Sequence, residues 1–143
     1  MEYPLQVDAY ELIPDSGGPG RYRGGLGLRR QIGPVDHDCQ FNGAGERFRR
    51  MPWGIFGAGH GAPGRFLKVD VDGSRSALPS KVNHVAVHAG ERILVETPGA
   101  GGYGPADARA PEDIARDLAV GKFTVDYVGR NYPHFALDRT GPH

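Results

Sequence analysis

Leu5, Val7 and Ala9 alternate with Gln6, Asp8 and Tyr10 before the apolar positions slip to Leu12 and Ile13, which predicts a strand carrying a bulge. Leu26, Leu28 and Ile32 predict a second strand that ends at Gly33-Pro34. A polar stretch follows, and Glu46 to Met51 reads as a short strand with Phe48 on one side. Leu67, Val69 and Val71 alternate against Lys68, Asp70 and Asp72, and Asp72-Gly73 supplies the backbone a tight hairpin turn requires. Val85 and Val87, followed across Ala89-Gly90 by Ile93, Leu94 and Val95, predict a second hairpin. One helix is signalled: Pro111 at a first-turn position, Glu112 and Asp113 near the positive end of the dipole, Gly121 as terminator, and Ile114, Ala115, Leu118 and Ala119 on one face. The tail beyond it, with Phe123, Val125, Tyr127, Tyr132, Phe135 and Leu137, is apolar enough to dock.

Composition adds what periodicity misses. The 143 residues include 23 glycines and 12 prolines, a share that begins to suggest fibrous or disordered chain. The glycines, however, cluster in three tracks between the strand patterns: DSGGPGRYRGGLG from Asp15, GIFGAGHGAPG ending at Gly64, and GAGGYG from Gly99. No helix fits such segments, so they predict extended tracks in which glycine serves backbone geometry. The fold expected is mainly β, in one domain spanning residues 1–143, with one short C-terminal helix.

Seventeen basic residues balance seventeen acidic ones, so no net field draws the chain to nucleic acid or to an anionic membrane. No apolar run approaches the roughly 20 residues needed to cross a bilayer. The single cysteine, Cys39, excludes an intramolecular disulfide framework, and MEYPLQVDAY has neither the basic leader nor the apolar core of an export signal, which points to the cytoplasm.

Candidate chemistry is sparse. Gly99, Gly101 and Gly104 match G-x-G-x-x-G, but Pro105 follows at once and the helix signal waits until Pro111, so no helix N-terminus meets a pyrophosphate there. Gly121-Lys122 is followed by Phe123, so no phosphate loop of the G-K-[ST] type occurs. His84 and His88 would ligate a metal together only on a helix; on a strand they stand about 13 Å apart. Asp36, His37, Asp38 and Cys39, with His60 as a distant partner, form the densest set of ligand types, but their spacing does not match a structural zinc site. Cys39 lacks a base placed to activate it. Arg21, Arg23, Arg29 and Arg30, and then Arg47, Arg49 and Arg50, concentrate positive charge that either holds an anion together with glycine amides or pairs with acidic groups of this chain or a partner; pairing is the expectation. Aromatics are too few for a nucleic-acid stacking surface.

Four blocks, in order, carry a resemblance. YPLQVDAYELIPDSGGPGRYRGGLGLRR (Tyr3 to Arg30), PWGIFGAGHGAPG (Pro52 to Gly64), the pair Ser80-Lys81, and GERILVETPGAGGYG (Gly90 to Gly104) followed by Arg109-Ala110-Pro111 resemble the hydantoinase B or oxoprolinase B family, which includes large subunits of ketone carboxylases. The resemblance implies that the chain corresponds to the C-terminal module of a much longer family polypeptide, with Met1 just before the first block as in a separate gene product. It implies a barrel-like body whose glycine-rich tracks run as polyproline II-type segments, which agrees with the independent reading of the tracks. It also implies a heteromeric, ATP-dependent ligase carboxylating a ketone such as acetophenone to benzoylacetate with bicarbonate. In that assembly larger hydantoinase A-type and B-type subunits would carry ATP and a divalent metal, and this chain would bind neither, would be mainly structural, and would be inactive alone. Asp126 to Asp138 fits the family's ending poorly. The rival readings are a split hydantoinase or oxoprolinase-type amidohydrolase and a stand-alone anion-binding module. No catalytic residue is singled out.

Overall fold

The computed structural model describes residues 4–135 and is mainly β. The chain divides into two compact units, each assembled from three separate segments. Among the described residues, 4–13, 27–51 and 63–98 form a sheet unit, and 14–26, 52–62 and 99–135 form a glycine-rich unit.

The sheet unit contains β1 (Leu5–Leu12), β2 (Leu28–Pro34), β3 (Cys39–Ala44), β4 (Arg65–Val69), β5 (Arg75–Leu78), β6 (Lys81–Val87) and β7 (Arg92–Glu96). Five strands form one antiparallel sheet in the order β1-β2-β7-β4-β5, while β3 and β6 pair separately. The expected barrel is therefore not closed. β1 carries its bulge at Asp8, between Val7 paired with Ile32 and Ala9 paired with Gln31. Because side-chain direction alternates along a strand, that extra residue brings Tyr10 and Leu12 to the face already occupied by Leu5 and Val7.

The β4–β5 hairpin forms as the sequence predicts, closed by Gly73 at φ +86° and by Ser74 bonding the Asp72 carboxylate. The second expected hairpin does not form as a pair. The turn at Gly90 exists, but β6 pairs with β3, and β7 lies between β2 and β4. Nor is Glu46 to Met51 a strand; the strand lies just before it, where Cys39 and Phe41 alternate with Gln40 and Asn42. Phe41 packs edge-on against Phe66 of β4 at 5.3 Å between ring centres, and Phe48 adds a second edge contact to the same ring at 4.7 Å. This three-ring group packs β3 of the small sheet against β4 of the large one.

In the glycine-rich unit a 3₁₀ turn (Ala106–Ala108) precedes α1 (Pro111–Ala119) and α2 (Val125–Asn131). α1 starts and ends as predicted, but its buried face is Ile114, Asp117 and Leu118, with Ala115 and Ala119 exposed. A carboxylate occupies the buried face because two arginines meet it there. α2 was not predicted. Thr124 caps it by accepting the Tyr127 amide, and Phe123, Tyr127, Val128 and Tyr132 recur at helical spacing to form a core with Ile114. The tail therefore docks through residue 135, while Leu137 and Asp138 lie outside the described residues.

Candidate functional site

The glycine tracks pack backbone on backbone. Gly18 N donates to Ala100 O at 2.8 Å, Gly59 N to Pro19 O at 2.8 Å, Ala62 N to Ser16 O at 2.8 Å and Gly99 N to Ala62 O at 3.0 Å, so all three tracks are stitched together. The first track also doubles back, since Gly24 N donates to Gly18 O at 2.9 Å. A methyl group at Gly24 would collide with Ala100 O, and one at Gly101 with Trp53 O. At Gly61 it would lie 2.6 Å from the carbonyl oxygens of both Gly99 and Ala100. Glycine is required here by proximity; none of these three positions has positive φ.

The C-terminal helices close over carbonyls that the tracks leave free. The Tyr127 hydroxyl donates to Gly17 O, and the Tyr132 hydroxyl donates to Gly20 O at 3.2 Å while accepting Gly20 N at 3.1 Å. Burial pushes the Tyr127 phenol well above its ordinary range, which keeps it a donor. Asp15, itself at φ +62°, accepts both the amide and the hydroxyl of Thr124 at 2.7 Å. Asp117 receives Arg23 Nε at 2.9 Å and Arg109 Nη2 at 2.7 Å, while Arg109 Nη1 reaches Arg21 O at 3.1 Å. On the surface of this unit, Tyr22, Trp53, Phe56 and Tyr103 are exposed. Tyr103 touches both Tyr22 and Phe56, and Phe56 sits at φ +53°.

The arginines singled out in the sequence are dispersed, and Arg21, Arg23, Arg29 and Arg30 are occupied. Arg23 belongs to the Asp117 pair. Arg29 bridges Glu11 and Glu96, and Arg65 also meets Glu96. Arg21 lies over the Tyr22 ring and Arg30 over the Tyr10 ring. The amides of Gly18, Gly24, Gly59, Gly61, Gly99 and Gly102 already donate to backbone carbonyls, so they offer no nest for an anion. Arg47, Arg49, Arg50 and Ser80 line one open groove, with Arg49 and Arg50 exposed.

The ligand-type cluster does not converge. His37 Nδ1 donates to Val35 O, Asp38 faces His88 at 3.3 Å, and Asp36 occupies a turn at φ +56°. Cys39 is half-buried on β3, where burial, assisted by the Asp38 charge, pushes its thiol pKa up and away from the nucleophilic form. His37 and Cys39 border an apolar pocket with Leu5, Ile32, Phe41 and Val87, but no hydrogen bond joins them. His84 and His88 are both exposed, His84 at an irregularity of β6 where its amide meets Asn42 and its ring Gln40. Among the described residues no group of three or more His, Cys, Asp or Glu is placed to hold a metal ion. Gly99 to Gly104 leads into Pro105 and a 3₁₀ turn, with α1 starting only at Pro111. No described helix is long and apolar enough to cross a membrane.

The chain belongs to the hydantoinase B/oxoprolinase family, whose model matches residues 1–106. It is 32% identical over 128 residues to the beta subunit of a caprolactamase from Pseudomonas jessenii, covering 87% of this chain and 22% of that one. Against the B-type subunit of a putative D-/L-hydantoinase from a Pseudomonas strain it is 32% identical over 125 residues, covering 87% and 21%. The crystal structure of the ATP-dependent caprolactamase of P. jessenii superimposes with a TM-score of 0.77 at 26% identity, over 97% of this chain and 24% of its own. A nucleotide-free acetone carboxylase shares the fold with a TM-score of 0.64 at 20% identity, over 90% and 21%. The chain thus spans less than a quarter of each of these relatives.

Proposed function

We infer that the chain is a mainly structural subunit of an ATP-dependent enzyme that opens cyclic amides, acting as one module within an assembly of larger hydantoinase A-type and B-type subunits in the cytoplasm. The observation that carries this reading is the 32% identity, over most of the chain, to two proteins named for a lactam and a hydantoin, both cyclic amides. ATP and a divalent metal are assigned to the partner subunits; among the described residues of this chain no group of three or more His, Cys, Asp or Glu is placed to hold a metal ion. The contribution of this chain is a rigid glycine core that braces the assembly.

Ketone carboxylation with bicarbonate, acetophenone to benzoylacetate included, is the second reading. The shared fold with acetone carboxylase favours it, but at that identity the likeness speaks for the fold alone, and none of the relatives above is named for acetophenone. The test is ATP hydrolysis by the complex reconstituted with its large subunits. Caprolactam, hydantoin or 5-oxoproline without bicarbonate is expected to drive phosphate release that falls to background when this chain is left out. Turnover seen only with a ketone plus bicarbonate moves the assignment to the second reading, and turnover indifferent to omission of the chain sinks both.

A further inference from the structure

The two faces of the β1–β2 end of the large sheet differ in kind. On one face the charges are matched: Glu11 with Arg29, Arg29 and Arg65 with Glu96, and Asp8 with Arg92 at 2.6 Å. The other face carries Leu5, Val7, Tyr10 and Leu12, opposite Pro34, Ile32, Arg30 and Leu28. These four β1 side chains are 49, 57, 63 and 48% exposed. A strand polar on one side and apolar on the other is patterned for burial, and here a bulge is maintained to keep the pattern on one side. β1 is also the sheet's edge, so its outer row of backbone groups has no ladder partner among the described residues. Among the described residues the charge on this face is Arg30, whose guanidinium lies 5.1 Å from the centre of the Tyr10 ring and meets no carboxylate there.

We propose that the Leu5, Val7, Tyr10 and Leu12 face is the docking surface for a larger hydantoinase B-type subunit, which covers it with an extended apolar segment carrying a carboxylate for Arg30. The proposal rests on the partner reading above. The remaining three quarters of the relatives' length supplies an occupant of the right kind. Charge selects against the alternative of a second copy: the carboxylates of β1 lie on the opposite face, so self-association would bury this cation with nothing to neutralise it. A partner segment lying along the edge would also satisfy the open backbone row of β1.

The test uses the full chain and the larger hydantoinase B-type chain from the same source, co-purified and measured by titration. Val7→Asp is expected to weaken the complex by about 100-fold, since it buries a charge at the contact, and Tyr10→Glu by about tenfold, since its carboxylate would take Arg30 from the partner. Arg30→Glu is expected to weaken it about tenfold, and Gln6→Asp, on the matched face, to leave it unchanged. Because the four apolar residues are half exposed in the free chain, the variants should unfold at the wild-type urea concentration, which separates lost docking from lost folding. Amide exchange should show β1 protected only in the complex. If the wild-type chain captures no large B-type subunit, the partner reading itself fails. If it does, and Val7→Asp and Tyr10→Glu bind as wild type, the face is wrongly assigned. A concentration-dependent homodimer abolished by Val7→Asp would give the face to a second copy and overturn the proposal as well.

Discussion

Replacing Gly101 by alanine adds one methyl group where the neighbouring track leaves no space. The new Cβ would meet Trp53 O and C and would lie 2.8 Å from Gly54 N, all of them backbone atoms that cannot rotate aside. The backbone around them is pinned, because Ile55 N donates to Gly102 O at 3.1 Å and Gly104 N to Ile55 O at 3.0 Å. Relief requires one track to move against the other and stretch these bonds. That places the cost near the upper end of ordinary overpacking, about 3 kcal/mol. In a chain of this length such a loss lowers the melting temperature by roughly 10 °C and the urea midpoint by roughly 1–3 M. Trp53 is the only tryptophan, so its fluorescence follows unfolding of the unit that holds Gly101. Two other glycines calibrate the measurement. At Gly25 and at Gly129 an added Cβ meets nothing within 4 Å. Gly25→Ala should stay within about 0.5 kcal/mol of wild type. Gly129→Ala, on the exposed side of α2, should gain up to about 1 kcal/mol from helix propensity. A Gly101→Ala midpoint equal to that of Gly25→Ala would refute backbone-to-backbone packing as the reason for the glycines.

Asp117→Ala removes the partner of both Arg109 and Arg23, whose side chains are 8 and 19% exposed, and Arg109 Nε already has no partner among the described residues. The loss should be about 3–5 kcal/mol in urea unfolding, with Asp117→Asn milder because it keeps one acceptor. Burial raises the Glu96 pKa, but the hydrogen bonds from Arg65 and Arg29 outweigh it and hold the carboxyl below its ordinary value of 4.5. The unfolded chain therefore binds this proton first, so the stabilisation is complete above about pH 4.5 and is lost as the pH falls below it. Urea midpoints taken between pH 6 and 3 should fall across that window, and Glu96→Gln should flatten the fall.

The readability of each element followed from how local its cause is. The β4–β5 hairpin needed only its alternating residues and the Asp72-Gly73 turn, so periodicity found it. The pairing of β6 with β3, and of β7 with β2 and β4, depends on contacts far apart in sequence, and adjacency at Gly90 suggested the wrong partner. β3 was hidden because Gln40 and Asn42 outweigh Cys39 and Phe41 in any local average, although one aromatic ring sufficed to seat it on Phe66. On α1 the alanines looked like the buried face, and the sequence held no local sign that Asp117 would go inside to meet Arg109 and Arg23. Charge counting placed the arginines as a group without showing that Arg23 and Arg29 meet carboxylates from distant segments while Arg21 and Arg30 lie over tyrosine rings. The glycine tracks were legible in kind, as packed extended chain, because their density excluded helix and ordinary strand alike. Which carbonyl each glycine approaches was not legible.

The family model ends at residue 106, whereas the residues that secure the glycine core lie beyond it. Gly17 O, Gly20 O and Arg21 O, all inside the matched region, take their hydrogen bonds from Tyr127, Tyr132 and Arg109. A buried carbonyl without a donor costs about 1–3 kcal/mol, so the matched region by itself would leave the Gly17 and Gly20 carbonyls without these donors. The tail is therefore part of the same physical unit as the tracks. Tyr127 and Tyr132 hold carbonyls of the first track and Asp117 holds the Arg23 side chain of the same track, which adds side-chain anchors to the backbone bonds that already join the tracks. The tracks carry Tyr22, Trp53, Phe56 and Tyr103 on their surface, while the buried rings of Phe123, Tyr127 and Tyr132 come from the tail.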